Sequence, residues 1–252
     1  MEPYLADLVI VNYNARKYLP QCLKSIREFS GAASSYRVWV IDNASQDGSA
    51  AYIKSLTGIQ PILNRTNRGY GAACNQGLLR GQGRYQVLLN SDTQVTPGWL
   101  PPLIRIFQDD PRAAVVGPRL VTPDGFIAGA GVVGTYTRPV IRGWGEPDEA
   151  WRYNEIMEVI SVSGCCMMLR RDLLPVLGLF DEGYFHYFEE TDYCLRARLQ
   201  GFKVIYCPGS VVAHHLNGSL RNRNKLAGYY RAAQKRFYQK WETILKEERE
   251  DL

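Results

Sequence analysis

LVIVNY at positions 8–13 decides the fold. A strand with one wet face would alternate apolar and polar residues. This run is almost unbroken in apolar residues, so it reads as a strand buried on both sides by helices. Outward from it the pattern repeats. Positions 16–29 carry Leu19, Cys22, Leu23 and Ile26 on one helical side, RVWVID (37–42) is a second strand, and 49–56 a short helix. PIL (61–63) and YQVLLN (85–90) are further strands, with a helix over 70–80 between them. Strands alternating with helices build parallel crossover units, hence an α/β doubly wound sheet. Such sheets bind ligands beyond the carboxyl ends of their strands. Those positions hold Asn12-Tyr13-Asn14, Asp42 to Ser49, Asn64 to Gly71 and Asn90-Ser91-Asp92.

The second half changes character. Positions 117–157 are rich in Gly and Pro, include Trp144 and Trp151, and are expected as irregular loops with short strands. VISVSGCCMML (159–169) is strand-like, 189–199 a helix, KVIYCP (203–208) and VVAHH (211–215) two further strands, and everything from Asn222 one long helix. With 252 residues, 46% hydrophobic and 22% charged, net charge +5, the chain has the composition of a globular α/β domain. No run of about 18 uncharged apolar residues occurs. Asp7 and the lack of a basic lead-in argue against a secretory leader. The six cysteines (22, 74, 165, 166, 194, 207) form no C-x-x-C pair and read as reduced, buried thiols of a cytosolic protein. Sequons at Asn43, Asn64 and Asn217 are chance matches in that compartment.

Four constellations carry chemistry. Asn90-Ser91-Asp92 leaves a carboxylate at the end of a central strand, a site for a hard cation, although an Asx turn uses the same residue types. Asp42 would accept hydrogen bonds from a nucleobase imide or ribose, or would merely close the turn-forming DNASQDGS stretch. Around Asn67 to Asn75, Gly backbone and a helix N-terminus face an anion, with Arg68 adding charge. There Gly69-x-Gly71 lacks the third glycine of a dinucleotide fingerprint, and the G-x-x-x-x-G-K-[ST] loop is absent. Glu189, Glu190 and Asp192 sit beside a dense aromatic run at a helix start. That arrangement suits a general base of raised pKa, or acids favoured by the helix dipole. His214-His215 closes an apolar strand, as a metal ligand or a buried structural histidine.

Taken in order, these blocks resemble the inverting glycosyltransferases of family 2, and within them the bacterial subgroup that includes rhamnosyltransferases of cell-surface polysaccharides. The carrying segments are VIVNYN (9–14), VIDNASQDGS (40–49), NRGYGAACNQG (67–77), LLNSD (88–92), SGCCMMLRR (163–171), FDEGYFHYFEETDYCLR (180–196) and HHLNGS (214–219). The resemblance covers about residues 5–240. It implies a GT-A fold, a Rossmann-like mixed sheet with helices on both faces, over 1–220: a nucleotide-binding half to about 120 and an acceptor half beyond it. It also implies roles. Asn12, Tyr13, Asn14 and Asp42 would hold the nucleotide, and Asn67, Gly69 and Asn75 would line the nucleotide-sugar pocket. Asn90 and Ser91 would stand beside Asp92, the last Asp of the family's D-x-D, which would bind Mn²⁺ or Mg²⁺ on the diphosphate. Asn90 replaces the first Asp of that motif. Gly164 and Asp192 would stand on the substrate side. Glu190 occupies the position of the catalytic base, with Glu189 as the alternative. His215 would complete the metal site, with His214 as the fallback.

The implied activity is transfer of a sugar from a nucleotide-diphosphate donor, such as dTDP-rhamnose or a UDP-sugar, to a hydroxyl of a glycan or lipid-linked saccharide. Residues 221–252 read as a basic amphipathic helix: 221–240 hold seven Arg/Lys and no acid, with Tyr229, Tyr230, Phe237, Tyr238 and Trp241 interleaved. Leu226, Tyr230, Ala233, Phe237, Trp241 and Ile244 recur at helical spacing. Such a helix suits an anionic membrane surface and would place a cytoplasmic enzyme on the inner face of the membrane. Packing of that stripe on the domain is the competing reading. No nucleic-acid recognition motif accompanies the charges. Two rivals stand. A sugar-phosphate nucleotidyltransferase would need a Gly-rich basic loop where Asn12-Tyr13-Asn14-Ala15-Arg16 stands, and a catalytically silent nucleotide- or glycan-binding module would share the fold.

Overall fold

In the computed structural model, which describes residues 4–32, 35–149, 151–216 and 223–250, the run at 8–13 lies mid-sheet. The nucleotide-side elements are β1 (Ala6–Asn12), α1 (Leu19–Phe29), β2 (Tyr36–Asp42), α2 (Ser49–Lys54), β3 (Gln60–Leu63), α3 (Tyr70–Arg80) and β4 (Tyr85–Asn90). There follow β5 (Thr93–Val95), α4 (Leu100–Asp109), β6 (Ala113–Val121), β7 (Ile127–Gly129), β8 (Val132–Gly134), β9 (Pro139–Ile141) and β10 (Met157–Glu158). The chain ends with β11 (Cys166–Arg170), α5 (Leu174–Leu177), α6 (Glu189–Leu199), β12 (Lys203–His214), α7 (Arg223–Lys240) and α8 (Glu242–Glu250).

The sheet runs β10-β12-β6-β11-β4-β1-β2-β3, with β5 on β12 and β7 on β6. Pairing is parallel from β4 through β3 and between β12 and β6, while β11 is antiparallel to both its neighbours. The sheet is therefore mixed. Its centre shows why LVIVNY lacks alternation: Leu8 and Ile10 enter the core beneath α1 and α4, while Val9 and Val11 enter the core beneath α3 and α6. Each such fully buried aliphatic side chain contributes about 1.5–3 kcal/mol. All six cysteines are free and buried.

Four expectations need correction. Residues 117–121, expected at the start of a stretch of irregular loops with short strands, belong with 113–116 to the long strand β6, because Gly117 and Pro118 mask a strand that is buried almost throughout. Within 159–169 only Cys166 onward is strand; Val159 bonds Val204 and Ile160 bonds Val132, so the chain crosses between layers first. KVIYCP and VVAHH are one strand, β12, interrupted by a bulge between Cys207 and Val211. The tail is two helices, α7 and α8, meeting at Trp241. Its apolar stripe lies on the domain, with Ala233, Phe237 and Leu245 buried beside Tyr184 and Leu195. Among the described residues no helix is long and apolar enough to cross a membrane. Asn217, Gly218, Ser219 and Arg221 lie outside the described residues, as does the Arg223 side chain.

Candidate active site

The loops after β1, β2 and β3 are tied together by side-chain amides. Asn43 Nδ2 donates to Asn67 Oδ1 (2.8 Å) and to the Gly69 carbonyl (3.0 Å), while its Oδ1 accepts from Asn64 Nδ2 and the Arg68 amide. Gly69 is needed by geometry: its φ is +86°, and a Cβ there would stand 2.6 Å from the Phe185 carbonyl oxygen. Asn12, buried at the end of β1, donates to Asp42 Oδ1 (2.9 Å) and Ser45 Oγ (3.1 Å). Asp42 Oδ2 accepts from the Ser45 amide, and Asn14 Oδ1 from the Gln46 amide. Asp42 is 1% exposed, with both carboxylate oxygens engaged inside the loop. It braces the wall from behind. Tyr13, Asn43, Asn67, Gly69, Asn90, Ser91 and Asp92 line the resulting crevice.

At the end of β4 the chain turns, and the register of β12 against β5 sets His214 opposite Thr93. His214 Nε2 lies 3.3 Å from Asp92 Oδ1. His215 points elsewhere, its Nε2 3.1 Å from Gln94 Nε2 and its ring against Tyr18. Of the two candidate histidines, His214, the alternative, faces Asp92, and His215 is held outside the cleft by strand alternation. Burial works against the His214 imidazolium. The Cys165 sulfur and the Asp92 carboxylate outweigh it and push its pKa up to about 11. A carboxylate oxygen and an imidazole nitrogen this close suit Mn²⁺ or Mg²⁺ in place of that proton. Among the described residues no group of three or more His, Cys, Asp or Glu is placed to hold a metal ion.

The third wall begins with strain. Tyr187 and Phe188 both take left-handed backbone (φ +74° and +67°) immediately before α6. For bulky residues this costs on the order of 1–3 kcal/mol each and persists only where packing enforces it. Here α7 enforces it: Tyr230 contacts the rings of Tyr187 and Phe188, Phe237 packs on Phe188, and Tyr229 on Phe185. Deeper in, Asp192 takes Trp241 Nε1 (2.9 Å), Lys240 Nζ (2.7 Å) and Arg196 Nε (2.9 Å). Asp192 is fully buried away from the cleft and fastens helix to tail. Asn75, likewise buried, clamps both backbone groups of Phe180 rather than lining the crevice.

On that support, α6 presents two carboxyls. Glu189 is 3% exposed with its Oε2 unpartnered, and burial plus the adjacent Glu190 charge raise its pKa well above the usual range. Glu190 is half-buried, and burial raises its pKa to about 6. Both line a cleft of about 310 Å³ with Asn90, Asp92, Gly164 and His214. Tyr70 closes its floor, its hydroxyl donating to the Gly164 carbonyl. The structure therefore brings Tyr13, Asn67, Gly69, Asn90, Ser91, Asp92, Gly164, Glu189, Glu190 and His214 to one place. Sequence reasoning missed Asn43, Tyr70 and Trp144 there. Asn43 and Tyr70 sit inside quoted motifs and were legible; Trp144 carries no local signal.

A mixed sheet with a cation-suited Asp–His pair at a central strand end and a carboxylate pair across the cleft defines a GT-A glycosyltransferase fold. GalNAc-T7, solved with UDP, GalNAc and Mn²⁺, superposes with a TM-score of 0.75 at 18% identity over 97% of this chain and 49% of that one. A mannosyltransferase from Pyrobaculum calidifontis, in complex with GDP-Man and Mn²⁺, gives 0.65 at 16% identity over 91% and 61%. The chain thus spans about half to three-fifths of those structures. Residues 7–178 match the model of glycosyl transferase family 2, and the chain belongs to that family. Among curated relatives, the N-acetylglucosaminyl-diphospho-decaprenol L-rhamnosyltransferase of Mycobacterium tuberculosis is 27% identical over 82% of this chain and 75% of its own. A low-salt glycan biosynthesis hexosyltransferase of Haloferax volcanii is 26% identical over 80% and 64%.

Proposed function

We propose that this transferase moves a sugar, with inversion, from a nucleoside-diphosphate donor to a hydroxyl of a glycan or lipid-linked saccharide during surface polysaccharide synthesis. The observation that carries the reading is that the paired Asp92 and His214 and the carboxyl of Glu190 line a single cleft. The nucleotide would lie in the crevice of Tyr13, Asn43, Asn67 and Gly69, within the half to about residue 120. Asp92 and His214 would hold Mn²⁺ or Mg²⁺, whose charge would offset that of the departing diphosphate. Glu190, ionised above about pH 6, takes the proton from the acceptor hydroxyl. The acceptor oxygen bonds to the anomeric carbon as the bond to phosphate breaks, and the nucleoside diphosphate leaves with the electron pair. Glu189, deeply buried and holding its proton, stays neutral and leaves Glu190 as the only charge of the pair.

The relative whose name specifies rhamnosyl transfer to a diphospho-decaprenol acceptor supports dTDP-rhamnose and a lipid-linked acceptor here. A cytoplasmic site at the inner membrane face follows from that acceptor class. The apolar stripe of α7 is engaged with the domain, so contact with anionic lipid would fall to exposed Arg231 and Lys235. Titration calorimetry with UDP, dTDP and GDP, each with and without Mn²⁺, tests the core of the reading. One nucleotide binding in a metal-dependent way is the expected result. Binding of none would overturn it in favour of a silent module.

A further inference from the structure

A second groove, of about 150 Å³, opens behind Glu190 and His214. Leu120 of β6, Val132 of β8 and Ile141 of β9 form its aliphatic walls, and Trp144 stands at its mouth. Trp144 borders the main cleft as well, but not the crevice of Asn43 and Asn67. From nucleotide crevice to groove the order is therefore Asn67, Asp92, Glu190, Leu120. A single displacement needs the acceptor on the side of the reacting carbon away from the leaving diphosphate, and the groove lies there.

The Trp144 indole does not serve the core. It is 56% exposed, leaving unburied much of a side chain that is among the most favourable to bury. Yet its loop is held firmly. The Gly145 amide donates to the Ile127 carbonyl (2.9 Å), the Ile127 amide to the Glu146 carbonyl (2.7 Å), and Gly143 and Gly145 on either side have φ of +76° and +77°. A Cβ at Gly143 would strike the Tyr153 ring at 2.8 Å. A rigidly mounted, half-exposed indole beside a catalytic carboxylate is a surface for something flat and partly apolar. Among the described residues, Glu190 and His214 are the ionisable side chains that line the groove, and no lysine or arginine lines it.

Resting on the transferase reading above, we infer that this groove is the acceptor subsite. Trp144 stacks on the C–H face of a neutral acceptor pyranose and so aims its hydroxyl at Glu190. An anionic sugar, a uronic acid for example, meets the Glu190 carboxylate, and among the described residues the groove offers no lysine or arginine to offset it.

The test uses the full chain labelled with 5-fluorotryptophan. The five tryptophans give separate ¹⁹F resonances, and the Trp144→Phe spectrum assigns the one that matters. Probes are the methyl glycosides of glucose, N-acetylglucosamine, rhamnose and glucuronic acid, added with nucleoside diphosphate and Mn²⁺. The Trp144 resonance is expected to shift saturably with a neutral glycoside and not with the glucuronide. Trp144→Ala should weaken that glycoside about tenfold, and Trp144→Phe should restore most of the loss. Nucleoside-diphosphate affinity should be unchanged in both. A resonance unmoved by every glycoside overturns the inference. So does a Trp144→Ala that weakens the nucleotide instead, or a resonance that responds only to phosphatidylglycerol vesicles. Glycoside response without any nucleotide binding would keep the sugar platform and remove the transferase reading.

Discussion

The wall of the cleft that carries Asn43 and Asn67 differs from the wall that carries Glu190 in how far along the chain its supports lie. Asn43 is held by hydrogen bonds spanning 21 to 26 residues, all between loops of adjacent βα units. The helix bearing Glu190 is propped by α7 and Trp241, with bonds to Asp181 and Asp192 spanning 48 to 59 residues. The nucleotide wall is thus built from its own turn chemistry. The base wall stores backbone strain at Tyr187 and Phe188 that a distant helix must restrain. Binding and catalysis should therefore separate under mutation.

The largest effect expected is on the base wall. Glu190→Gln should lower transfer roughly 10²–10⁴-fold while leaving nucleoside-diphosphate affinity intact; a variant with near wild-type turnover would move the base elsewhere, with Glu189→Gln the next to measure. The pH profile comes second. Because the Glu190 pKa is raised to about 6, its competent carboxylate is fully present above that value and is lost as pH falls through it. Turnover should therefore drop about tenfold per unit on the acid side, and a profile flat from pH 7 to 5 would contradict the assignment.

Third, Asn43→Ala removes the side-chain node joining the loops after β2 and β3. Losing hydrogen bonds at a largely buried site costs about 1–3 kcal/mol, so nucleotide affinity should fall by about tenfold or more with turnover at saturation preserved. Equal losses in both would mean that the two walls are not independent. Trp241→Phe should do the reverse at smaller scale. Removing its bond to Asp192 costs about 1 kcal/mol, read as a severalfold lower turnover with unchanged nucleotide binding.

The smallest effect concerns the tail's ion pairs. Burial raises the Asp181 carboxyl, but hydrogen bonds from Lys240, the Gly183 amide and Arg236 outweigh it and hold the pKa at about 2. The unfolded value is about 3.9. With the folded value depressed, this stabilisation is present above about pH 4 and lost as pH falls towards 2. Hydrogen exchange in α7 that accelerates over that window, ahead of α3, would sharpen the contrast between the walls; simultaneous acceleration of both would blunt it.

Much of the nucleotide wall was legible because parallel strands announce themselves. Burial on both faces demands apolar runs, and the polar residues that end those runs must lie at the carboxyl edge. Hence Asn67, Gly69, Asn90 and Asp92 were found by position alone, and the helix starts at Tyr70 and Glu189 were read to the residue. The resemblance gave Asp42, Asn75 and Asp192 substrate-side roles. Their partners within the protein, Asn12 and Ser45, Phe180, and Lys240 with Trp241, lie in segments that no local pattern connects. The strand at 113–121 went unseen because Gly117-Pro118 looks like a turn, although Gly117 is small only to admit Val162, whose Cβ would lie 2.5 Å from an added methyl.

The sequence by itself determined the α/β class, the polar strand ends and the family's ordered motifs, since all of these are short-range patterns of burial and turn formation. The tertiary structure alone decided which histidine faces Asp92, because the bulge in β12 resets the alternation of the strand. It alone decided that the tail's aromatic stripe props α6, and that Trp144 and Glu190 line one cleft. Each of those depends on contacts between segments far apart in the chain, where no local periodicity records the partner.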